Sequence, residues 1–470
     1  MLRSPIPDAN KVPLLELEKL MIRAERLEGK WIGDIGKGTN SVLPVEPQRT
    51  YRAEINSTEI GKPIAVLGDY LILRRLVYPH GVDEGSEDTE PQIIFSFYHL
   101  SDIHPDQSWK DQLQVYGVLP GSVIDYFVDY GLRTFYLASV PREAGVGEQR
   151  PLTLVSMSVG ADGPRVTSEY EANLAPNQYK DWSGYSLTIN EIFVYMHPVH
   201  WSQYSESELD LRVLDIHAKQ LFEICLLKPI WSDCPNYHAT EIYISQDFLV
   251  LFRVDNRYAV YYNWRNSADV TTGRVRLRAN FVGQLPGLVS HLHRIIINPM
   301  STIAAFASVR FRSDTLSGTS EILLVSIEAD EASGEWHIRE AGSLEVPGGH
   351  HGVNIFSHLP SADTQYILGV LQTRIPPEYD CPVEEWRYFT IKIHLPYLRD
   401  SSMVDRDYMK AAMMPSQRFL RESSRGRSPA ILKSFDPMLG KVLLTSRRFY
   451  RLDDRGFSSV SVTVLDFLGF

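Results

Sequence analysis

Cysteine is scarce in this chain: Cys225, Cys234 and Cys381 are the three in 470 residues. A sparse, odd set without metal-ligand spacing excludes a disulfide framework or zinc ribbon and predicts free thiols in a reducing compartment. Long apolar runs are missing as well. No stretch approaches the ~18 apolar residues of a membrane span, and Met1-Leu2-Arg3-Ser4-Pro5-Ile6-Pro7-Asp8 lacks the continuous apolar segment of a secretory signal. Positive charge is outnumbered, 47 Lys and Arg against 58 Asp and Glu. The resulting net charge of −11 provides no general basic face for phosphate backbones. These absences predict a protein of the cytoplasm and/or nucleus, with no nucleic acid and no membrane among its partners. The sequon Asn56-Ser57-Thr58 has no secretory context and reads as chance.

What is present divides at about residue 50. Pro13 suits a first helical turn, where its missing N–H is not needed. After it Leu14, Leu17, Leu20, Met21, Ala24, Leu27 and Trp31 recur at steps of three and four, which predicts an α-helix over about 13–28. Glu16, Glu18, Lys19, Glu25 and Arg26 fill the opposite face, and Gly29 supplies a stop. The apolar stripe is expected to pack on the rest of the protein. Residues 33–48 are rich in Gly, Pro, Ser and Asn and read as a linker, so 1–49 forms one region and 50–470 another.

The second region is strand-like throughout. Its runs of Val, Ile, Leu, Tyr and Phe form a loose repeat: an apolar strand, a tight turn, a second strand, a polar insert, a third strand. Seven such units begin at Ile64, Val123, Leu187, Glu241, Ile295, Val353 and Ile431. Fourth strands are read at Leu221 to Leu227, Val275 to Val282 and Ile338 to Val346. An all-β propeller of about seven four-stranded blades fits this pattern. Two β-sandwiches, or six or eight blades, are the competing arrangements. The last unit lacks a fourth strand, and Thr50 to Ile55 is free to complete it, closing the ring and removing two exposed sheet edges.

No catalytic constellation emerges. Gly33-Asp34-Ile35-Gly36-Lys37-Gly38-Thr39 looks like a phosphate loop, but Gly38 stands where G-x-x-x-x-G-K-[ST] needs Ser or Thr, and it opens no helix. His197 and His200, His291 and His293, and His350-His351 in an expected turn have no companion ligands of zinc-site pattern. There is no G-x-S-x-G elbow. Neither a metal nor a cofactor is implied. The polar inserts carry more information. Asp83 to Glu90 is strongly acidic, with Glu84, Glu87 and Asp88 as candidate contact residues, and Arg142 and Arg312 open two further inserts. Ser202 to Glu208 and Pro376 to Glu385 are two more. In a propeller all five emerge on one face, where repeat proteins commonly bind; the alternative is simple tolerance of insertion at loop tips. Arg399 to Arg427, with Arg418, Arg421, Arg425 and Arg427, reads as an exposed loop.

Leu20-Met21-Ile22-Arg23-Ala24-Glu25-Arg26-Leu27-Glu28-Gly29-Lys30-Trp31 resembles the segment that follows the F-box in fungal F-box proteins with a WD-like propeller. Tyr262-Asn263-Trp264-Arg265 is similar to that family's strand-ending W-R segment. The resemblance implies a non-enzymatic propeller that recruits protein substrates to an SCF-type ubiquitin ligase. No F-box is read before the helix, so docking to a Skp-type adaptor does not carry over. A rival expectation is an intracellular glycan-binding or glycan-cleaving propeller, motivated by 24 tyrosines and abundant carboxylates.

Overall fold

The computed structural model describes residues 48–466 apart from inter-strand segments, the longest being 78–91, 103–112, 175–184, 228–239, 294–303, 395–408 and 414–430. For 284–433 it describes the backbone alone. The expected helix over 13–28, with Leu17, Leu20, Ala24, Leu27 and Trp31, lies outside the described residues, as does the linker.

Among the described residues there is no α-helix; a 3-10 turn, Leu100–Asp102, is the one helical element. Strand β1 (Arg49–Asn56) is followed by sheet I, made of β2 (Lys62–Leu67), β3 (Tyr70–Val77), β4 (Gln92–His99) and β5 (Leu113–Val118). Sheet II is β6 (Ser122–Asp129), β7 (Thr134–Pro141), β8 (Arg150–Gly160) and β9 (Gly163–Leu174). Sheet III is β10 (Tyr185–Ile189), β11 (Phe193–Pro198), β12 (Glu208–Asp215) and β13 (Leu221–Leu227). Sheet IV holds β14 (Thr240–Ile244), β15 (Phe248–Arg253), β16 (Arg257–Tyr262) and β18 (Phe281–Gln284), while β17 (Arg274–Leu277) joins sheet III as a fifth strand. Sheet V is β19 (Val289–His293), β20 (Ala304–Phe311), β21 (Ser320–Ala329) and β22 (Trp336–Val346). Sheet VI is β23 (His350–Pro360), β24 (Thr364–Ile375), β25 (Val383–His394) and β26 (Met409–Met413). Sheet VII is β27 (Ile431–Asp436), β28 (Lys441–Phe449) and β29 (Ser458–Asp466), completed by β1.

The expected closure by Thr50 to Ile55 is therefore made. β1 runs antiparallel to β29, with Thr50 opposite Leu465 and Ile55 opposite Val460.

Apart from β17, which runs parallel to β13, the strands of each sheet pair antiparallel, and neighbouring sheets touch edge by corresponding edge. The first strands β27 and β2 lie together, as do β6 and β10, and so do the fourth strands β5 and β9. The sheets thus stand side by side, face against face. This explains why the middle strands read as continuous apolar runs rather than alternating ones: both faces are covered. In β3, Ile72 packs with Phe95, Phe135 and Leu137 towards sheet II, whereas its neighbours Leu71 and Leu73 pack with Ile55, Val462 and Val464 of sheet VII. In β7, Phe135 and Leu137 face sheet I, and Tyr136, Ala138 and Val140 face sheet III. Phe193 and Tyr195 of β11 then turn to sheet IV, with Leu249, Leu251, Tyr261 and Trp264. Each such fully buried large side chain contributes about 1.5–3 kcal/mol. All-β meanders of this kind, packed face to face and closed by the first strand, form a β-propeller architecture.

Several expectations need correction. The strand read after Val123 starts later than its apolar residues suggest: the Asp129 carboxylate accepts a hydrogen bond from the Leu132 N–H (2.8 Å) and Arg133 is left-handed at φ 50°, so β7 begins at Thr134. Val275 to Val282 is not one strand. The Asn280 N–H donates to the Val260 carbonyl (2.8 Å) while its side-chain oxygen accepts from the Tyr262 N–H (2.7 Å), and this anchor splits the run into β17 and β18. The first strand of sheet V is Val289–His293; Ile295 to Asn298 lies outside the described residues. His350-His351 opens β23 rather than a turn, with a register shift between His350 and Gly352. Within the expected loop 399–427, Met409–Met413 pairs with β25; its four named arginines lie outside the described residues.

Candidate functional site

Antiparallel meanders give every sheet two ends, and hydrogen bonds between sheets align those ends. The Ser434 hydroxyl, near the end of β27, accepts from the N–H of Val66 near the end of β2 (3.2 Å) and shares a hydrogen bond with the hydroxyl of Tyr130, just past β6 (2.8 Å). The first-to-second-strand turns of sheets VII, I and II therefore converge. Asp215, closing β12, and Arg265, just past β16, bring the corresponding end of sheets III and IV together (2.6 Å). The second-to-third-strand links leave from the opposite end.

All five polar inserts fall at second-to-third-strand links. Glu84, Glu87 and Asp88 fall between β3 and β4, Arg142 between β7 and β8, and Arg312 between β20 and β21. These residues themselves lie outside the described ones, as do 199–207 and 376–382, which occupy the same link in sheets III and VI. Topology brings their attachment points to equivalent places; sequence position alone separates them by tens to hundreds of residues.

The turn end is built differently. Gly68, at φ +63°, permits the two-residue turn between β2 and β3. Asp69 in that turn accepts the Leu100 N–H on its carbonyl (2.7 Å), and its carboxylate takes a charge-assisted hydrogen bond from the buried ammonium of Lys441. Lys441 also donates to the Gly68 carbonyl (3.2 Å). Burial would raise the Asp69 carboxyl, but the hydrogen bond and charge of Lys441, with His99 and Arg133 nearby, outweigh it and hold the group below the usual carboxylate range.

The W-R segment works in the same way. Asn263 adopts the left-handed region at φ 54°, which turns the chain at the end of β16. Trp264 then enters the core edge-on to Phe193 and Phe222, at 5.4 and 5.2 Å. Arg265 lies over the Phe222 ring and pairs with the buried Asp215 carboxylate, whose other oxygen accepts the N–H groups of His217 (2.9 Å) and Ala218 (2.7 Å). The motif seams sheet IV to sheet III.

Tyrosine hydroxyls fasten further seams, each ring lying in an inter-sheet layer and its O–H reaching across. Tyr195 donates to the Ile242 carbonyl (2.9 Å), Tyr261 to the Leu227 carbonyl (3.1 Å), Tyr170 to the Lys219 carbonyl (2.8 Å) and Tyr116 to the Glu169 carboxylate (2.7 Å). Burial, then the Glu169 charge, pushes the Tyr116 phenol well above its ordinary range. These tyrosines, part of what motivated the glycan expectation, are engaged in the architecture. No signal in one strand's sequence reveals such partners, because each lies on another sheet. Cys225, on β13, forms no disulfide. Among the described residues no group of His, Cys, Asp and Glu is placed to hold a metal ion.

No family model matches the chain, and no curated protein matches it. Among solved structures it is similar to the WD40 domain of SCAP from fission yeast, with 8% identity over 90% of this chain and 83% of that one, at a TM-score of 0.34. It is also similar to an apocarotenoid oxygenase from Synechocystis (7% identity, 70% of each chain, TM-score 0.31). A third is a leech intramolecular trans-sialidase (10% identity, 89% of this chain and 66% of that one, TM-score 0.22). Likenesses this loose assign no function, and the architecture rests on the strand pairing described above.

Proposed function

We propose that this chain is a non-enzymatic, seven-bladed interaction propeller that recruits a protein partner through its insert-bearing end. The carrying observation is the shared placement of five polar inserts, each at a second-to-third-strand link. The turn end is occupied by structural bonds such as Asp69–Lys441 and Asp215–Arg265. The partner's place in the cell follows the F-box resemblance: the propeller would be the substrate-recruiting half of an SCF-type receptor, joined to a Skp-type adaptor only through an F-box. Glu84, Glu87, Asp88, Arg142 and Arg312 are the contacts we assign.

The test is crosslinked affinity purification from source cells, comparing the native chain with one whose 83–90 and 142–147 segments are replaced by Gly and Ser. Recovery of the same protein partner by the native chain, lost on replacement, is the expected result. Consistent recovery of no partner, or carbohydrate binding on a glycan array, would overturn the reading.

A further inference from the structure

Sheets II and III differ at their outer edges. The edge of sheet III, β13, is covered by β17, which pairs with it in parallel: Arg274 stands opposite Glu223, Val275 opposite Ile224, Arg276 opposite Cys225 and Leu277 opposite Leu226. Val275 and Leu277 are buried in the core shared with Trp264, while Arg276 is exposed. The strand Arg-Val-Arg-Leu is thus a basic-apolar segment added to a sheet edge by the chain itself.

The edge of sheet II has the same pattern with no strand paired to it among the described residues, although Glu169 on it accepts a hydrogen bond from the Tyr116 hydroxyl of β5 (2.7 Å). β9 is twelve residues long and is bonded on one side to β8 alone. A register shift between Ser156 and Met157 makes Thr167 an extra residue, and such a bulge discourages pairing of the first part of the strand. Beyond it, Ser168 to Leu174 is regular. Glu169 and Glu171 are exposed there, alternating with the partly buried Tyr170 and the buried Ala172 and Leu174. This matches β13, where Glu223 and Cys225 alternate with buried Ile224 and Leu226, but with two acidic positions instead of one. Of the other described outer edges, β5 has six residues, none charged, β18 has four and β26 five, β1 carries Arg49 and Arg52 along with Glu54, and β22 sets Arg339 next to Glu340.

We propose that the outer edge of β9, from Ser168 to Leu174, is a strand-addition site for an extended peptide alternating basic and apolar residues. Main-chain hydrogen bonds supply affinity, and the alternate side chains supply selectivity. The basic residues lie beside Glu169 and Glu171, and the apolar ones cover Tyr170 and Ala172. The edge runs down to the insert end, Leu174 lying opposite Arg150 just after the β7–β8 insert; Glu171→Lys leaves the inserts intact, so failure of this reading and failure of the proposed function are distinguishable.

The probe is a fluorescent peptide of this chain's own residues 272–279, titrated into the full chain with fluorescence anisotropy as readout. Saturable binding is expected, weakened at least tenfold by Glu171→Lys and unchanged by Glu223→Lys on the already covered β13. Hydrogen exchange should slow in 168–174 when the peptide is added. A peptide with Glu in place of its three arginines should not bind. Methylating alternate backbone nitrogens should abolish binding; retained affinity would mean charge attraction alone and would overturn strand addition. Absence of binding, or protection confined to another edge, would also overturn it. So would dimerisation of the chain that Glu171→Lys abolishes, because a second copy would then be the occupant.

Discussion

The ammonium of Lys441 and the carboxylate of Asp69 meet across 372 positions of sequence. They join the start of β28 in the last sheet to the first turn of sheet I, on the seam where the two ends of the β region come together. Lys441 is buried, with 3% of its side chain exposed, whereas Asp69 remains 55% exposed. The pair is therefore held from the protein side and wetted from the other.

Acid should loosen this seam. A carboxyl held below its ordinary pKa contributes stability that is fully present above the unfolded value, near 4, and is lost as pH falls through the folded value. The melting-temperature gap between the native chain and Asp69→Asn should therefore be constant above about pH 5 and shrink below about pH 4. A gap that grows on acidification would show that Asp69 is not stabilised by Lys441.

Trp264→Ala removes an indole packed between Phe193 and Phe222 and should cost about 3–5 kcal/mol in denaturant unfolding. Arg265→Met leaves the buried Asp215 carboxylate without its charged partner and should cost about 3 kcal/mol. Arg265→Lys should recover part of that loss by keeping the charge without the planar fork. Equal losses for the two Arg265 variants would assign the effect to packing on Phe222.

The tyrosine fasteners predict a specific small penalty. Tyr195→Phe and Tyr261→Phe keep the ring and strip one hydroxyl from the Ile242 and Leu227 carbonyls, so each should cost about 1–2 kcal/mol. Both hydroxyls bond backbone carbonyls of a neighbouring sheet, so partner recovery should not change. A loss of partner binding with unchanged stability would move these tyrosines from architecture to function.

Closure by β1 is testable by removing it. A chain starting at residue 57 should unfold at lower denaturant and expose the β29 edge, and a synthetic peptide of 48–56 should restore stability in a concentration-dependent way. Ile55→Ala, at a fully buried position, should cost about 2–4 kcal/mol. Full stability of the shortened chain would mean that sheet VII does not need its fourth strand.

Legibility in the sequence followed burial. Strands covered on both faces, such as β3 with Leu71, Ile72 and Leu73, stand out as unbroken apolar runs, and so do β7 and β15. Even the closing role of Thr50 to Ile55 was readable, from the shortage of one strand in the last unit. Outer strands were harder. β9, whose Arg165 to Glu169 are exposed, carries no apolar run, and β26 is short and set among serines and arginines. The insert residues could be assigned a link in the repeat, but that β3 and β7 end on the same side of their sheets follows from strand order, which no local pattern contains.

The amino-acid sequence by itself determined the all-β class and the repeated strand-turn-strand pattern, because period, turn residues and polarity are properties of adjacent residues. Tertiary structure decided which carbonyl each tyrosine fastens, that Asp69 meets Lys441 and Asp215 meets Arg265, and that β17 leaves the region of sheet IV to cover the edge of sheet III. Those outcomes depend on how neighbouring sheets twist and stack. Alternation along a strand records that two faces are buried, and carries no information on which distant strand buries them.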